Sequence, residues 1–544
     1  MKPATLTCLL ICGGLALLLR CSGSPVAGGD VTETGNARIA CTVRSPGGVA
    51  VAGARVTVRT RDYLTPPGIS KTASSLLDTV TGRDGRFEFN GVDFGDYTVE
   101  INDLTANALL LTCSVVHGVT DIDFGDTVLM PRVSVSGSVP LPPDSGASLF
   151  VQVYGLERLV PVDRADGSFT IDDLPAGNYR FRIVSANPLV QPSVIANVEA
   201  RSGSLTLPPF AAWAHCAKLV INTSETGANI DRDVVGFPLL VRLDRTMFAM
   251  SESIDRGADI RFARPDGTPL AHEIESWDTY ERTAAIWVLA DTVHAMSDSQ
   301  YIMMYWGQPY ARSVSSASAV FDTALGFAGA WHFSRSAPYA DATQNANDAV
   351  DGATGAATGV IGPARYFGGS DSMYVPDNAS LEPQSLTLSC WFKRDGAQDS
   401  VAKVVNKGLT SHAFLSYTLE MRQTTDVAGF QIATVDTAYH TAVTGNEIAD
   451  GAWYLLTGVF NAETGAGELF LNGQSRGAFT TTQPIEYYTQ ADYPLYFGCQ
   501  MGGHAGFKGY IDEIRLSCVP RSSSWVRLCY ETQKEGAAVV TLVR

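Results

Sequence analysis

Residues 269–278, PLAHEIESWD, place His272, Glu273, Glu275 and Asp278 within a short span around Trp277. Two chemistries need such residues. Divalent-metal binding by an H-E-x-x-H helix requires a second imidazole three positions after the glutamate, so that both rings reach one face. Here that position is Ser276. General acid–base work on a glycosidic bond needs two carboxyl groups on one surface. Glu273, Glu275 and Trp277 alternate with Ile274, Ser276 and Asp278, which is a strand pattern with both glutamates on one face. The expectation is a solvated acidic face without catalysis. In YIDEIR, Asp512 and Glu513 are strand neighbours expected to point to opposite faces, so they form no acid–base pair. His332, directly after Trp331, reads as a core residue. No phosphate loop, dinucleotide fingerprint or C-x-x-C occurs. The other candidate chemistry is stacking on sugar rings. IEYYTQADYPLYF gathers Tyr487, Tyr488, Tyr493 and Tyr496, and the faces of the first three are the candidates for the C–H surface of a sugar.

Strands are the elements that must position these groups. Two stretches align without a gap, DGRFEFNGVDFGDYTV from Asp84 and DGSFTIDDLPAGNYRF from Asp166. Each pairs an Asp-Gly turn with an alternating strand, then a second glycine before a tyrosine-led strand. Gly95 and Gly177 are expected at positive φ. Alternating segments recur through FPLLVRLD, AAIWVLADTV and QYIMMYWGQP, and again through LFLNGQ and GYIDEIRLS. The fold class expected is all-β.

Bulk numbers narrow the function. The 544 residues are 45% hydrophobic and 17% charged, with a net charge of −17. This balance lacks the basic footprint of a nucleic-acid binder. Lys2, an apolar run from Leu6 to Leu19, then Cys21 and a Gly/Ser/Thr-rich tether read as an export leader. The leader resembles that of bacterial lipoproteins, which implies lipidation of Cys21 and an outer-membrane anchor at the cell surface; Arg20 departs from the small residue usual there, and ordinary secretion is the alternative. Seven cysteines follow Cys21, an odd number, and most are expected to be buried and structural.

Four resemblances organise the chain after a signal peptide at 1–21 and a tether at 22–35. Residues 36–132 and, in a shorter version, 133–209 resemble carboxypeptidase-regulatory-like, prealbumin-type β-sandwiches, which implies spacer modules. Residues 210–321, ending YWGQPYARSVSSASAVFD, resemble the DUF2341 family of bacterial envelope proteins. Residues 322–544, with GAWHFS, LFLNG and the closing IDEI, resemble the laminin-G-like, concanavalin A-like jelly roll. The glutamate strand departs from the E-x-D-x-x-E strand of jelly-roll glucanases at its middle position. The jelly-roll resemblance implies Ca²⁺ in the loop YADATQNANDAVDG, with Asp341 and Asn345 joined by Asp512; hard oxygen donors abound there. The whole implies a non-catalytic cell-surface protein binding a glycan through the jelly roll. A structural or protein-adhesion role is the alternative, and a carbohydrate-active enzyme the third.

Overall fold

The computed structural model describes residues 36–66, 77–142, 148–187, 190–333, 337–398, 401–408, 415–422, 426–488 and 493–543. The leader and Cys21 lie outside the described residues. The described chain is almost entirely β, with one helix of more than two turns, Ser523–Gln533. Among these residues no helix is long and apolar enough to cross a membrane. The seven cysteines from Cys41 to Cys529 are all free thiols.

The chain divides into two compact units, Met1–Arg61 with Ser74–Met130, and Asp62–Ala73 with Pro131–Arg544. In the first, a three-stranded sheet centred on Ala37–Arg44 faces a five-stranded sheet centred on Gly95–Asn102. Phe87, Phe89, Val56, Val99 and Ile39 fill the space between them. The second unit begins with a smaller sandwich of three and four strands, in which Ser168–Leu174 and Gly177–Ser185 carry the sequence repeat. The repeated tyrosines do the same work in both. Tyr97 donates its hydroxyl to the Asp93 carbonyl at 3.1 Å, and Tyr179 donates to the Pro175 carbonyl, each four residues back.

The repeated glycines divide: Gly95 sits at positive φ, 156, as expected, whereas Gly177 is not among the positive-φ glycines. The left-handed positions are the Asp-Gly turns, Gly85 at φ 78 and Gly167 at φ 76. A Cβ on Gly167 would lie 2.0 Å from the Val139 carbonyl oxygen. Gly203, at φ 62, has nothing near its missing Cβ. Gly167→Ala should therefore cost more than the ~1 kcal/mol of a purely conformational change, and clearly more than Gly203→Ala. Urea denaturation of both variants checks this; equal midpoints would refute the turn clash.

Beyond this, the second unit holds two larger sandwiches. The central one packs Val234–Leu243, Thr283–Val293 and His272–Asp278 against a five-stranded sheet. The C-terminal jelly roll packs an eight-stranded sheet on a seven-stranded one, with Leu388, Phe392, Tyr417, Leu419, Phe430 and Ile514 between them. The expected boundary at 321/322 is crossed twice. Strand Val540–Val543 leaves the jelly roll and pairs antiparallel with His215–Ile221 of the central sandwich. Helix Ser523–Gln533 lies on the way, N-capped by Ser522, whose hydroxyl accepts from the Trp525 amide. One face of it meets Phe237 through Trp525, and Gln533 accepts from the Trp391 indole on the outer face of the jelly roll. Trp525, Leu528 and Val539 thus join Phe237, Trp287, Phe321, Phe327 and Ile361 in one core.

Candidate functional site

Two β-bulges, one in each sandwich, bring the candidate residues together. In His272–Asp278 the register slips between Ile274 and Ser276, leaving Glu275 as the extra residue. Glu273 and Glu275 both face the jelly roll, whereas Trp277 turns back beside Ile274 and packs edge-on against Phe248. The expected grouping of Trp277 with the two glutamates is thus undone by the bulge. His272 points the other way, edge-on to Phe262, and burial pushes its imidazole down to about 4.

The second bulge lies in the closing strand Lys508–Ser517. There Trp391 pairs with Asp512 and Ser389 with Arg515, so Glu513 and Ile514 share one opposing residue. Glu513 adopts φ 49, left-handed backbone that costs a non-glycine residue energy. The consequence corrects the sequence reading. Asp512 and Glu513 do not point to opposite faces; both are buried on the outer side, while Ile511 and Ile514 enter the jelly-roll core.

Around His332 these strands build a polar knot. His332 Nδ1 lies 2.6 Å from Glu513 Oε1 and 3.9 Å from Glu275 Oε2, and its Nε2 lies 3.4 Å from Glu273 Oε2. Arg515 donates to Glu513 Oε2 at 2.6 Å, and the Trp287 indole donates to Glu275 Oε2 at 2.7 Å. Asp512 Oδ2 accepts from the Val360 and Ile361 amides. Arg242, from Val234–Leu243, adds a buried positive charge held by the Thr532, Gln533 and Val360 carbonyls. His332 is buried, as a core residue is expected to be, but its neighbours are carboxylates.

Burial and then the Glu513 charge push Glu275 and Asp512 well above the usual carboxylate range. Burial would raise Glu513 too, but His332 and Arg515 outweigh it and hold Glu513 low. Burial likewise opposes protonation of His332, yet Glu513 and Glu273 raise it well above an ordinary imidazole. Glu275 Oε1, Glu273 Oε2, His332 Nε2 and Asp512 Oδ1 are buried without a hydrogen-bond partner. Two openings flank the knot. A cleft of about 120 Å³ exposes Glu273 and His332 between Phe333, Tyr339 and Asp341. A groove of about 940 Å³ reaches Glu275 from the other side, walled by Trp277, Asp278 and Thr279 of the central sandwich and residues 357–363 of the jelly roll.

The oxygens of the residues expected to hold calcium are engaged within the fold. Asp341 accepts from the Ala330, Thr343 and Asn347 amides and the Thr343 hydroxyl, so its carboxylate is already engaged in shaping its own loop. Asn345 donates to the Ala328 carbonyl, and Asp512 is turned to Val360 and Ile361. Asp341 and Asn345 share the Thr343 hydroxyl, which donates to Asp341 and accepts from the Asn345 amide. The tyrosine cluster is divided. Tyr487 packs against the jelly-roll core, donates to the Pro383 carbonyl and meets Tyr417 edge-on, which removes it from an exposed platform. Tyr488 and Tyr493 stand edge to face at 5.1 Å.

Residues 367–527 match the concanavalin A-like lectin/glucanases superfamily, and residues 256–334 match the domain of unknown function DUF2341. The chain thus carries both domains. The DUF2341 match runs past 321 and includes His332, so the knot draws Glu273, Glu275 and His332 from one matched segment and Asp512 and Glu513 from the other. No curated protein sequence matches the chain. Among solved structures, domain 4 of AbnA, an extracellular arabinanase from Geobacillus stearothermophilus in complex with arabinotriose, is 17% identical, with 38% of this chain and 98% of that one covered at a TM-score of 0.32. The botulinum neurotoxin serotype D ligand-binding domain in complex with N-acetylneuraminic acid is 14% identical over 40% of this chain and 53% of its own, with a TM-score of 0.33. The binding domain of Paraclostridial Mosquitocidal Protein 1 is 12% identical over 38% and 52%, with a TM-score of 0.32. The chain spans about half the length of the two toxin domains.

Proposed function

We propose that this chain is a non-catalytic recognition protein of the cell envelope, tethered through lipid at Cys21, that binds a glycan in the groove beside Trp277. The groove carries the reading. Its volume of about 940 Å³ suits a short oligosaccharide, and its wall offers a half-buried indole with Asp278, Thr279, Thr283 and Thr358 around it. A half-exposed aromatic ring with hydroxyl and carboxylate groups around it is the composition a sugar requires. A catalytic pair would need both carboxyl groups open to one bound substrate. Glu273 opens instead on the small cleft, and Glu275 on the groove.

A glycan array followed by calorimetry tests the proposal. Wild type should bind a defined glycan, and Trp277→Ala should weaken it roughly tenfold, about 1.4 kcal/mol, with a near-unchanged near-ultraviolet dichroism spectrum. A wild-type protein that binds no glycan but binds an envelope protein would replace this reading with the adhesion role. Release of reducing ends from a polysaccharide would replace it with an enzyme.

A further inference from the structure

We propose that Glu275, His332 and Glu513 are the ligands of one divalent transition-metal ion, zinc being the first candidate, that fastens the DUF2341 sandwich to the jelly roll. One oxygen or nitrogen from each lies within 4.8 Å of the others. Ligand atoms about 2.1 Å from a tetrahedral ion stand roughly 3.4 Å apart. The Glu275–His332 separation of 3.9 Å is near this, and the Glu513–His332 contact of 2.6 Å would open by under about 1 Å on loading.

The surroundings are those of a built site. Ligating residues are oriented by partners behind them, and a ligating histidine gives its other ring N–H to a carboxylate or carbonyl. With Nδ1 on the metal, His332 Nε2 faces Glu273 at 3.4 Å. Glu275 is held by the Trp287 indole and Glu513 by the Arg515 guanidinium. Each ligand therefore has its own support. The unpartnered Glu275 Oε1 is the observation that points to a ligand, because buried polar atoms are rarely left unpaired. The cleft lined by Glu273 and His332 is the route of access. An imidazole nitrogen among carboxylates selects a borderline ion over calcium, which takes oxygen.

The test uses the whole chain, stripped with chelator and dialysed against zinc, manganese or calcium in turn. Elemental analysis should find one equivalent of zinc per chain after gel filtration, with a raised melting midpoint, and none of calcium. Glu275→Gln keeps the side chain's shape; it should fold with a wild-type near-ultraviolet spectrum and bind zinc 10–100-fold more weakly. His332→Ala should lose the equivalent altogether. If that variant does not fold, Glu275→Gln alone decides. Folded wild type that takes up neither zinc nor manganese, or Glu275→Gln that binds zinc as tightly as wild type, overturns the assignment.

Discussion

Trp525→Ala should lower the unfolding free energy by about 3–5 kcal/mol, the range for deleting a large buried aromatic ring. The indole is 8% exposed, meets Phe237 edge-on at 5.0 Å and lies under the Arg521 guanidinium at 3.9 Å. Phe237 belongs to the central sandwich, whereas Phe327, 6.3 Å away, begins the jelly roll. The cavity would open in a core that both share, so the two should melt together at the lowered midpoint. Trp525→Phe should retain most of the stability. Urea denaturation followed by tryptophan fluorescence and by backbone dichroism reads both. A jelly roll that keeps its wild-type midpoint in Trp525→Ala would show that it folds independently of the helix, contrary to the shared core.

Glu420→Ala should cost a comparable amount for another reason. Lys403 and Glu420 form an ion pair whose side chains are 2% and 1% exposed, with Arg422 on the second carboxylate oxygen at 2.8 Å. Breaking a buried pair from one side leaves a charge with neither water nor partner, at about 3–5 kcal/mol. Burial already holds the Lys403 ammonium below its usual range, against the opposing pull of Glu420. Without Glu420 it falls further, so the unfolded chain binds the extra proton and stability rises with pH until lysine itself titrates. The deficit of Glu420→Ala should therefore shrink between neutral pH and about pH 10. The double variant Lys403→Met with Glu420→Leu, apolar and of similar volume, should return close to wild type. A single variant within 1 kcal/mol of wild type at pH 7 would mean that Lys403 finds another partner or water.

The knot itself was half visible in the sequence. Asp512, Glu513 and Arg515 stand among the apolar residues between Ile511 and Leu516, and three charges in that buried stretch are a signal that something opposes them. His332 gave a weaker sign, standing among apolar residues beside Trp331. Trp287 and Arg242 gave none, because an indole that donates to a carboxylate and an arginine held by carbonyls look in sequence like ordinary strand residues. The alternation rule also misread the Asp512–Glu513 pair and the grouping of Trp277 with the two glutamates. It assumes an uninterrupted two-residue period, and each strand carries one extra residue at the position that matters.

Local pattern alone was enough to read the all-β class and the repeated Asp-Gly hairpin with its tyrosine, while family resemblance supplied DUF2341 and the jelly roll. Turn residues act on their neighbours, and period-two burial is written into each strand, so these features need no knowledge of the partner strand. Tertiary structure decided everything that depends on register between distant strands. A bulge is a mismatch with a particular neighbour, as between Glu513 and Cys390, and cannot be read from one strand. His332 and Glu513 lie 181 positions apart, and only the packing of two sandwiches sets them 2.6 Å from each other. The return of Val540–Val543 to the central sheet was hidden for the same reason: its short alternating pattern fits any open edge, and only the shared core around Trp525 determines which edge it joins.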